Sequence, residues 1–243
     1  MDAVNSLLKD VHQDKKLFGC ESAAAEPFIK NLLFSDNRWE LAELVGDPVP
    51  AYAYIYHSRV NNFMGNQCCC GLEYAEDDFR YRTAYSFLAG DMLTIVIDEN
   101  GDITHHWGAA NDGVPKPEQK NTIAFIKECN GWRRNAKQYL SYGDMQKPIA
   151  YECDKYRFYT AVRRQKFEKK VPAVMANTFS YEGKAATFFA NYTDNDVEIS
   201  VPRVDGERLY ITSENFSAGK TTGRMDEKIL VPALSVVMLE RDT

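Results

Sequence analysis

Two glutamates, Glu21 and Glu26, stand in the stretch LFGCESAAAEPF at residues 17–28. A pair of carboxylates is the residue set that works on a glycosidic bond, one as acid and the other as base or nucleophile. Glu21 ends a short apolar run. Read as a strand, that run puts Leu17, Gly19 and Glu21 on one face and Phe18 and Cys20 on the other. An ionised carboxylate on such a strand is costly unless it reaches a polar cavity or a partner. Parallel α/β folds open such a cavity at the carboxyl ends of their strands. The same residues also fit a turn or a helix start, with Ser22 as N-cap and Glu21 favoured beside the helix N-terminus.

The two glutamates do not pair through local geometry. Five positions apart they face opposite ways on a strand and differ by about 140° on a helix. Glycoside hydrolysis asks for carboxyls about 5–5.5 Å or about 6.5–9.5 Å apart. Glu26 is therefore a candidate binding or supporting residue, brought round by a loop, and a catalytic partner for Glu21 has to come from another strand.

Further candidates lie downstream. The segment VPAYAYIYH at residues 49–57 alternates small and aromatic residues, which predicts a strand with Tyr52, Tyr54 and Tyr56 on one face and His57 at its carboxyl end. Tyr56 and His57 are candidate sugar contacts through stacking or hydrogen bonding; core packing for the tyrosines and a capped loop for His57 are the structural alternatives. Asp36-Asn37-Arg38 offers either hydroxyl-binding groups or a helix break with a local ion pair. Side chains of the consecutive Cys68, Cys69 and Cys70 diverge and cannot readily share one ion, and His105-His106 has no companion ligands, so no metal site is expected. Dinucleotide, P-loop and nucleophile-elbow patterns are absent, and no cofactor is expected.

The elements that would position these residues read, from the start, helix, strand, helix, strand. Val4, Leu7, Leu8 and Val11 mark one apolar helical stripe, residues 15–20 a strand, residues 27–44 a helix pausing near FSDNR, and residues 49–57 a second strand. Such alternation implies a parallel sheet with crossover helices. Two strands do not make a stable parallel sheet, so the missing strands are expected before Met1, from a partner chain or from a second copy in a homo-oligomer. A helix over 79–93, a turn at Asn100-Gly101 and a long helix over 119–142 ended by Gly143 follow. Ile123, Ile126, Ala136, Tyr139 and Leu140 are its expected buried positions. Beyond residue 151 the runs PAVMANTFSY, KAATFFANY, VEISVP, RLYIT and ILVPALSVVMLE predict antiparallel strands, with turns at Glu182-Gly183 and Asp194-Asn195-Asp196. The fold class expected is α/β followed by all-β, with a boundary near residues 143–149.

Composition sets the remaining bounds. The chain has 243 residues and a formal charge of −6, which argues against a general affinity for nucleic acid or anionic lipid. No apolar run reaches the roughly 18 residues of a membrane span. The first residues carry charges throughout, unlike a signal peptide. The six cysteines show neither a disulfide framework nor a CxxC pattern, so reduced thiols and a cytoplasmic location are expected. The sequon Asn191-Tyr192-Thr193 is then without consequence.

The segments GCESAAAEPFI…LLFSDNR, PAYAYIYHSRVNNFMGN, YRTAYSFLAGD, YLSYGDM and VMANTFSYEGKAATFFANYTDND…VPALSVVMLE together resemble the C-terminal part of a large glycoside-hydrolase-like family. Its members carry a (β/α)₈ barrel followed by a β-sandwich, and many are known only as glycosidase-like. The likeness runs across nearly the whole chain and rests on order and texture. It implies that residues 1–143 are the last strands and helices of a partial barrel and that residues 151–243 are a C-terminal antiparallel β-sandwich. Residues 15–21 and 49–57 would be the last two barrel strands, and Glu21 would hold a strand-end position typical of a catalytic or sugar-binding acid. The activity implied is hydrolysis of glycosidic bonds in a carbohydrate substrate by a longer enzyme of which this chain is a fragment. A non-catalytic carbohydrate-binding or interaction module is the alternative, and a truncated product prone to self-association is a third.

Overall fold

The structure, a computed structural model, describes residues 6, 19–20, 34–35, 46–62, 76–97, 99–104, 119–162, 165–224 and 226–243. Glu21, Glu26, Asp36 to Arg38, Cys68 to Cys70 and His105-His106 lie outside the described residues, as do the first helical stripe and most of the 15–20 and 27–44 segments.

Three short strands, β1 (Gly19–Cys20), β2 (Phe34–Ser35) and β3 (Asn61–Asn62), form a parallel sheet in the order β1-β2-β3. Gly19 is level with Phe34, and Phe34 with Asn61. Parallel neighbours need long crossovers, and the alternation read from the sequence is of that kind. Its details differ. Strand β2 occupies the place expected for a helix pause. The strand expected over 49–57 is instead helix α1 (Ala51–Tyr56), and the strand comes later, at β3. Pro50 stands at the N-cap with φ −77°, and two alanines follow it within the helix. A proline at the entry and good helix formers behind it outweigh a period-2 pattern only six residues long. Of this helix only Ala53 is buried, while Tyr54 and Ile55 point outward.

Helix α2 (Glu76–Leu88) is buried on every side from Asp78 to Leu88. A hairpin of β4 (Val96–Ile97) and β5 (Ile103–Thr104) turns at Gly101, where φ is +85°. Helix α3 (Gln119–Asn135) and helix α4 (Lys137–Leu140) replace the single helix expected over 119–142, with a break at Ala136 (φ −112°, ψ 34°). The break turns Tyr139 and Leu140 into the core. Within α3 the buried side chains are Phe125, Cys129 and Trp132, and Ile123 is exposed, contrary to expectation.

The chain then builds antiparallel sheets: β6 (Asp144–Gln146), β7 (Lys155–Val162), β8 (Gln165–Pro172), β9 (Val174–Tyr181), β10 (Lys184–Asn191), β11 (Val197–Ser200), β12 (Arg208–Tyr210), helix α5 (Ser213–Ser217), β13 (Lys228–Val231) and β14 (Ser235–Asp242). Five of these strands pair in the order β12-β14-β10-β9-β6, while β11-β13 and β7-β8 are separate ribbons. Glu182 and Gly183, with φ of 48° and 76°, make the tight turn between β9 and β10, a mirror-image turn that matches strand twist. The β7–β8 hairpin is not among the expected strands, although Tyr156, Phe158, Thr160 and Val162 alternate along β7.

Side chains alternate across the five-stranded sheet. Phe188 and Ala190 of β10, Val236 and Met238 of β14 and Phe179 of β9 join a core with Tyr81, Phe87, Phe125 and Trp132 from the helices. Phe189, Val237, Leu239 and Val174 face the other way, onto Ile199, Ile229 and Val231 of the β11–β13 ribbon. Trp132 is the main tie between α3 and the sheet. Its Nε1 donates to the Val236 carbonyl at 3.0 Å, and its ring meets Phe188 edge-on at 5.8 Å. Tyr139 donates to Glu240 Oε1 at 2.6 Å, and Arg208 Nε donates to Glu240 Oε2 at 2.8 Å, joining α4, β14 and β12.

Two polar groups in this core, Asn191 and Arg82, are tied by several bonds each. Asn191 is wholly buried; its amide nitrogen donates to the carbonyls of Asn195, Val231 and Pro232, and its oxygen accepts from Thr193. A glycan cannot replace those bonds, so the sequon serves the fold. Arg82 and Asp78, both fully buried, pair at 3.1 Å within α2, and Arg82 Nη2 donates to Thr160 of β7 at 3.1 Å. Breaking such a pair strands a buried charge, so Arg82→Ala is expected to lower the unfolding free energy by about 3–5 kcal/mol. The exposed Arg157–Glu168 pair at 3.8 Å is the control: Arg157→Ala should change stability by less than about 1 kcal/mol in the same denaturant titration.

Candidate functional site

Strand β1 ends at Cys20, so Glu21 is the next residue along the chain from a parallel strand end. On the far side of the small sheet, β3 delivers Asn62, whose Nδ2 donates to Asp91 Oδ1 at 3.0 Å, and the Asn62 carbonyl accepts from Met92 N. Both Asn62 and Asp91 are buried. Asp91 is a carboxylate that the sequence reading passed over. Its one signal is its place directly after Gly90, where the chain leaves α2.

His57 and Tyr56 go different ways. His57 is at the C-cap of α1, 9% exposed, with Nδ1 2.7 Å from the Gly143 carbonyl and Nε2 3.1 Å from the Leu140 carbonyl. Its ring lies 4.7 Å from that of Phe179. Gly90 (φ +80°) presses on the imidazole: a Cβ there would stand 1.8 Å from Nε2. Both nitrogens face main-chain carbonyls and the neutral ring donates to one of them, so the imidazole anchors α1 between α2 and the Leu140–Gly143 turn. Ser58 adds a 2.7 Å bond to Asp144 of β6. Tyr56 is half-buried, its ring 5.0 Å from that of Tyr52. Burial holds the imidazole of His57 below its ordinary pKa, and the nearby Arg133 adds to this; the two carbonyls and Asp91 oppose it. Arg133 Nη1 donates to the carbonyls of Gly90 and Leu140 and closes the same junction.

A cleft of about 470 Å³ opens beside this junction, between the 47–50 segment, α2 and strands β8 and β9. Tyr81, Tyr85, Tyr151 and Met175 line it, and Asp47, Lys155 and Lys170 stand around it. Lys169, itself buried, fixes one wall by donating to the Gly46 carbonyl at 2.6 Å. Inside, Tyr151 donates to the Val174 carbonyl and Asn177 to the Leu88 carbonyl. Among the described residues Asp47 is the cleft's sole lining carboxylate, and it is exposed. The cleft can therefore hold a ligand against aromatic walls, as sugar sites do, but it supplies no buried acid for proton transfer. Its Tyr81 and Tyr85 are visible in the sequence as one helical stripe; the strands that complete the cleft are not. Among the described residues no cluster of three or more His, Cys, Asp or Glu side chains could hold a metal, and no helix is long and apolar enough to cross a membrane. Cys129 and Cys153 are free thiols, and burial pushes the Cys129 thiol up.

No protein-family model and no curated protein matches the sequence. Among solved structures the chain is similar to Amy13B of Eubacterium rectale, with a TM-score of 0.54 at 12% identity, over 100% of this chain and 56% of that one. The fold is glycoside-hydrolase-like. An alpha-amylase from Geobacillus thermoleovorans, complexed with acarbose, matches at a TM-score of 0.48 and 11% identity, over 86% of this chain and 48% of that one. The chain thus spans about half the length of the solved structures it matches.

Two outcomes test the His57 junction. His57 binds its proton less readily folded than unfolded, so its contribution to stability is complete above the unfolded pKa of about 6.5 and is lost as pH falls through that value toward the folded pKa. The difference in unfolding free energy between wild type and His57→Gln should therefore shrink as pH is lowered from about 7 to 5. Gly90→Ala should destabilise by about 2 kcal/mol or more through both the contact and the positive φ, and less in a His57→Ala background, as read by a double-mutant cycle.

Proposed function

We propose that this chain is the later part of a glycosidase-like protein that hydrolyses glycosidic bonds, with Glu21 as general acid/base or nucleophile. The observation that carries the reading is the parallel sheet of β1, β2 and β3, whose first strand ends one residue before Glu21. In parallel α/β architectures the carboxyl ends of strands are where reacting groups gather. The similarity of fold to Amy13B supports the same reading. The sheet would be the last part of a (β/α)₈ barrel within residues 1–143, and residues 151–243 would form a β-sandwich domain. We place the protein in the cytoplasm. Glu26 and Tyr56 are assigned to carbohydrate binding, and His57 supports that site by fixing the end of α1. The rest of the barrel, with the second carboxylate, belongs to a longer chain, a second copy or a partner chain.

A second reading has its own support. Among the described residues the aromatic cleft carries no buried acid, which suits a module that binds carbohydrate without cleaving it. One experiment separates the two. Turnover of a panel of aryl glycosides by the protein with its barrel completed is expected to fall by on the order of 10³-fold or more in Glu21→Gln, with sugar affinity within about tenfold of wild type. Turnover that survives the substitution removes Glu21 from the mechanism. Saturable sugar binding with no hydrolysis by the wild-type protein favours the binding module.

A further inference from the structure

A second concavity, about 1040 Å³, lies on the opposite side of α3 from the sheet, between α3, α4 and α5. Lys127, Arg134 and Lys137 line it, all exposed. None of the three has a side-chain hydrogen bond or ion pair among the described residues, unlike Arg80, Arg82 and Arg208 elsewhere. Lys127 and Arg134 are seven residues apart on α3, hence on one face and about 10 Å along the axis. In a chain of net charge −6, these three cations and Arg133 outnumber the two carboxylates that line the groove, Glu128 and Glu214, and leave it a local anion-attracting excess.

The groove also holds acceptors. Glu128 and Glu214 line it, the former pushed above the usual carboxylate range by burial. Asn130 and Ser141 add neutral donors and acceptors, and Tyr142, 60% exposed, offers an open ring face. A phosphate chain brings only acceptors and offers the two glutamates no donor. A ligand that suits the whole set carries anionic groups for the cations, hydroxyl donors for the carboxylates and a pyranose face for the tyrosine. The floor is rigid: α5 approaches α3 so closely at Gly131 that a Cβ there would stand 2.9 Å from Ser213 Oγ.

We propose that this groove binds a carboxylated carbohydrate, a uronate-containing chain, at a site separate from Glu21. The proposal rests on the carbohydrate reading above but not on any role of Glu21. Lys127 and Arg134 would meet successive carboxylates, Lys137 would extend the track, and Tyr142 would stack on a sugar ring.

The test uses the full chain and calorimetric titration with a short oligogalacturonate, with maltohexaose as the neutral probe and inorganic triphosphate as the polyanion without hydroxyls. Wild type should bind the oligogalacturonate with an affinity that falls as salt rises. Arg134→Gln with Lys137→Gln should lose roughly tenfold or more, the scale of one charge-assisted hydrogen bond. Tyr142→Ala should lose affinity for it as well. Lys166→Gln with Lys228→Gln, a charge-matched change on the β8 and β13 ribbons, should bind as wild type, and so should Glu21→Gln. Absence of oligogalacturonate binding by wild type overturns the proposal, as does equal loss in the ribbon variant. Triphosphate binding as tight as oligogalacturonate binding overturns it in favour of a simple polyanion site. If Glu21→Gln retains aryl-glycoside turnover but the groove binds, the catalytic assignment fails and this one stands.

Discussion

Strands β10 and β14 are covered on both faces, and this two-sided burial is the constraint from which the rest of the architecture follows. Phe188 and Met238 face the helices while Phe189 and Leu239 face the β11–β13 ribbon. Neither layer can be removed without exposing a full row of large side chains, at roughly 25 cal/mol for each Å² of apolar surface returned to water. The helices before residue 143 and the strands after residue 144 therefore share one apolar core. The segment 46–62 before α2 is attached to this body directly, through His57 on the Leu140–Gly143 turn, Ser58 on β6 and Lys169 of β8.

That attachment is polar as well as apolar. Arg80 reaches the Tyr192 carbonyl and Asp194, and Arg82 reaches Thr160. These bonds add little net free energy, because desolvating a guanidinium costs nearly what its partners return. Their effect is on register: with acceptors fixed on β7 for Arg82 and just after β10 for Arg80, α2 cannot slide by one residue without losing them. His57 and Arg133 do the same for α1, binding carbonyls at the ends of α2 and α4. The candidate aromatic cleft sits next to this set of ties, so its walls are held by main-chain bonds instead of by loop packing alone.

Much of this was legible in the residues. The strands after 172 announced themselves through Val, Phe and Thr alternation and through turn residues, and the Glu182-Gly183 hairpin came out where expected. The stripe Tyr81, Ala84, Tyr85, Leu88 located α2. The failures have specific causes. AYAYIY has period 2 only because alanine is small, and alanine favours the helix it forms. The run at 155–172 is rich in Lys, Arg and Glu, and these masked the alternation of Tyr156, Phe158, Thr160 and Val162 that marks β7 and puts Phe158 in the core. The one glycine of the long helix over 119–142, Gly131, lies five residues before the break, so no glycine or proline marks Ala136 itself, where the chain turns to dock Tyr139 onto Glu240. Asp91 and the cleft were out of reach because their members come from segments far apart along the chain.

The docking of α1 on β6 has a further consequence. β6 is the outermost strand of the five-stranded sheet, and an outermost strand offers unpaired main-chain groups to any passing strand of another molecule. Helix α1 packs against it, with Ser58 bonded to Asp144. At the opposite margin, β12 is only three residues long and is followed at once by α5. The sheet is thus blunted at both ends, by a lid of helix on one side and by brevity on the other, which discourages strand-by-strand templating of aggregates even though its interior is among the most apolar parts of the molecule.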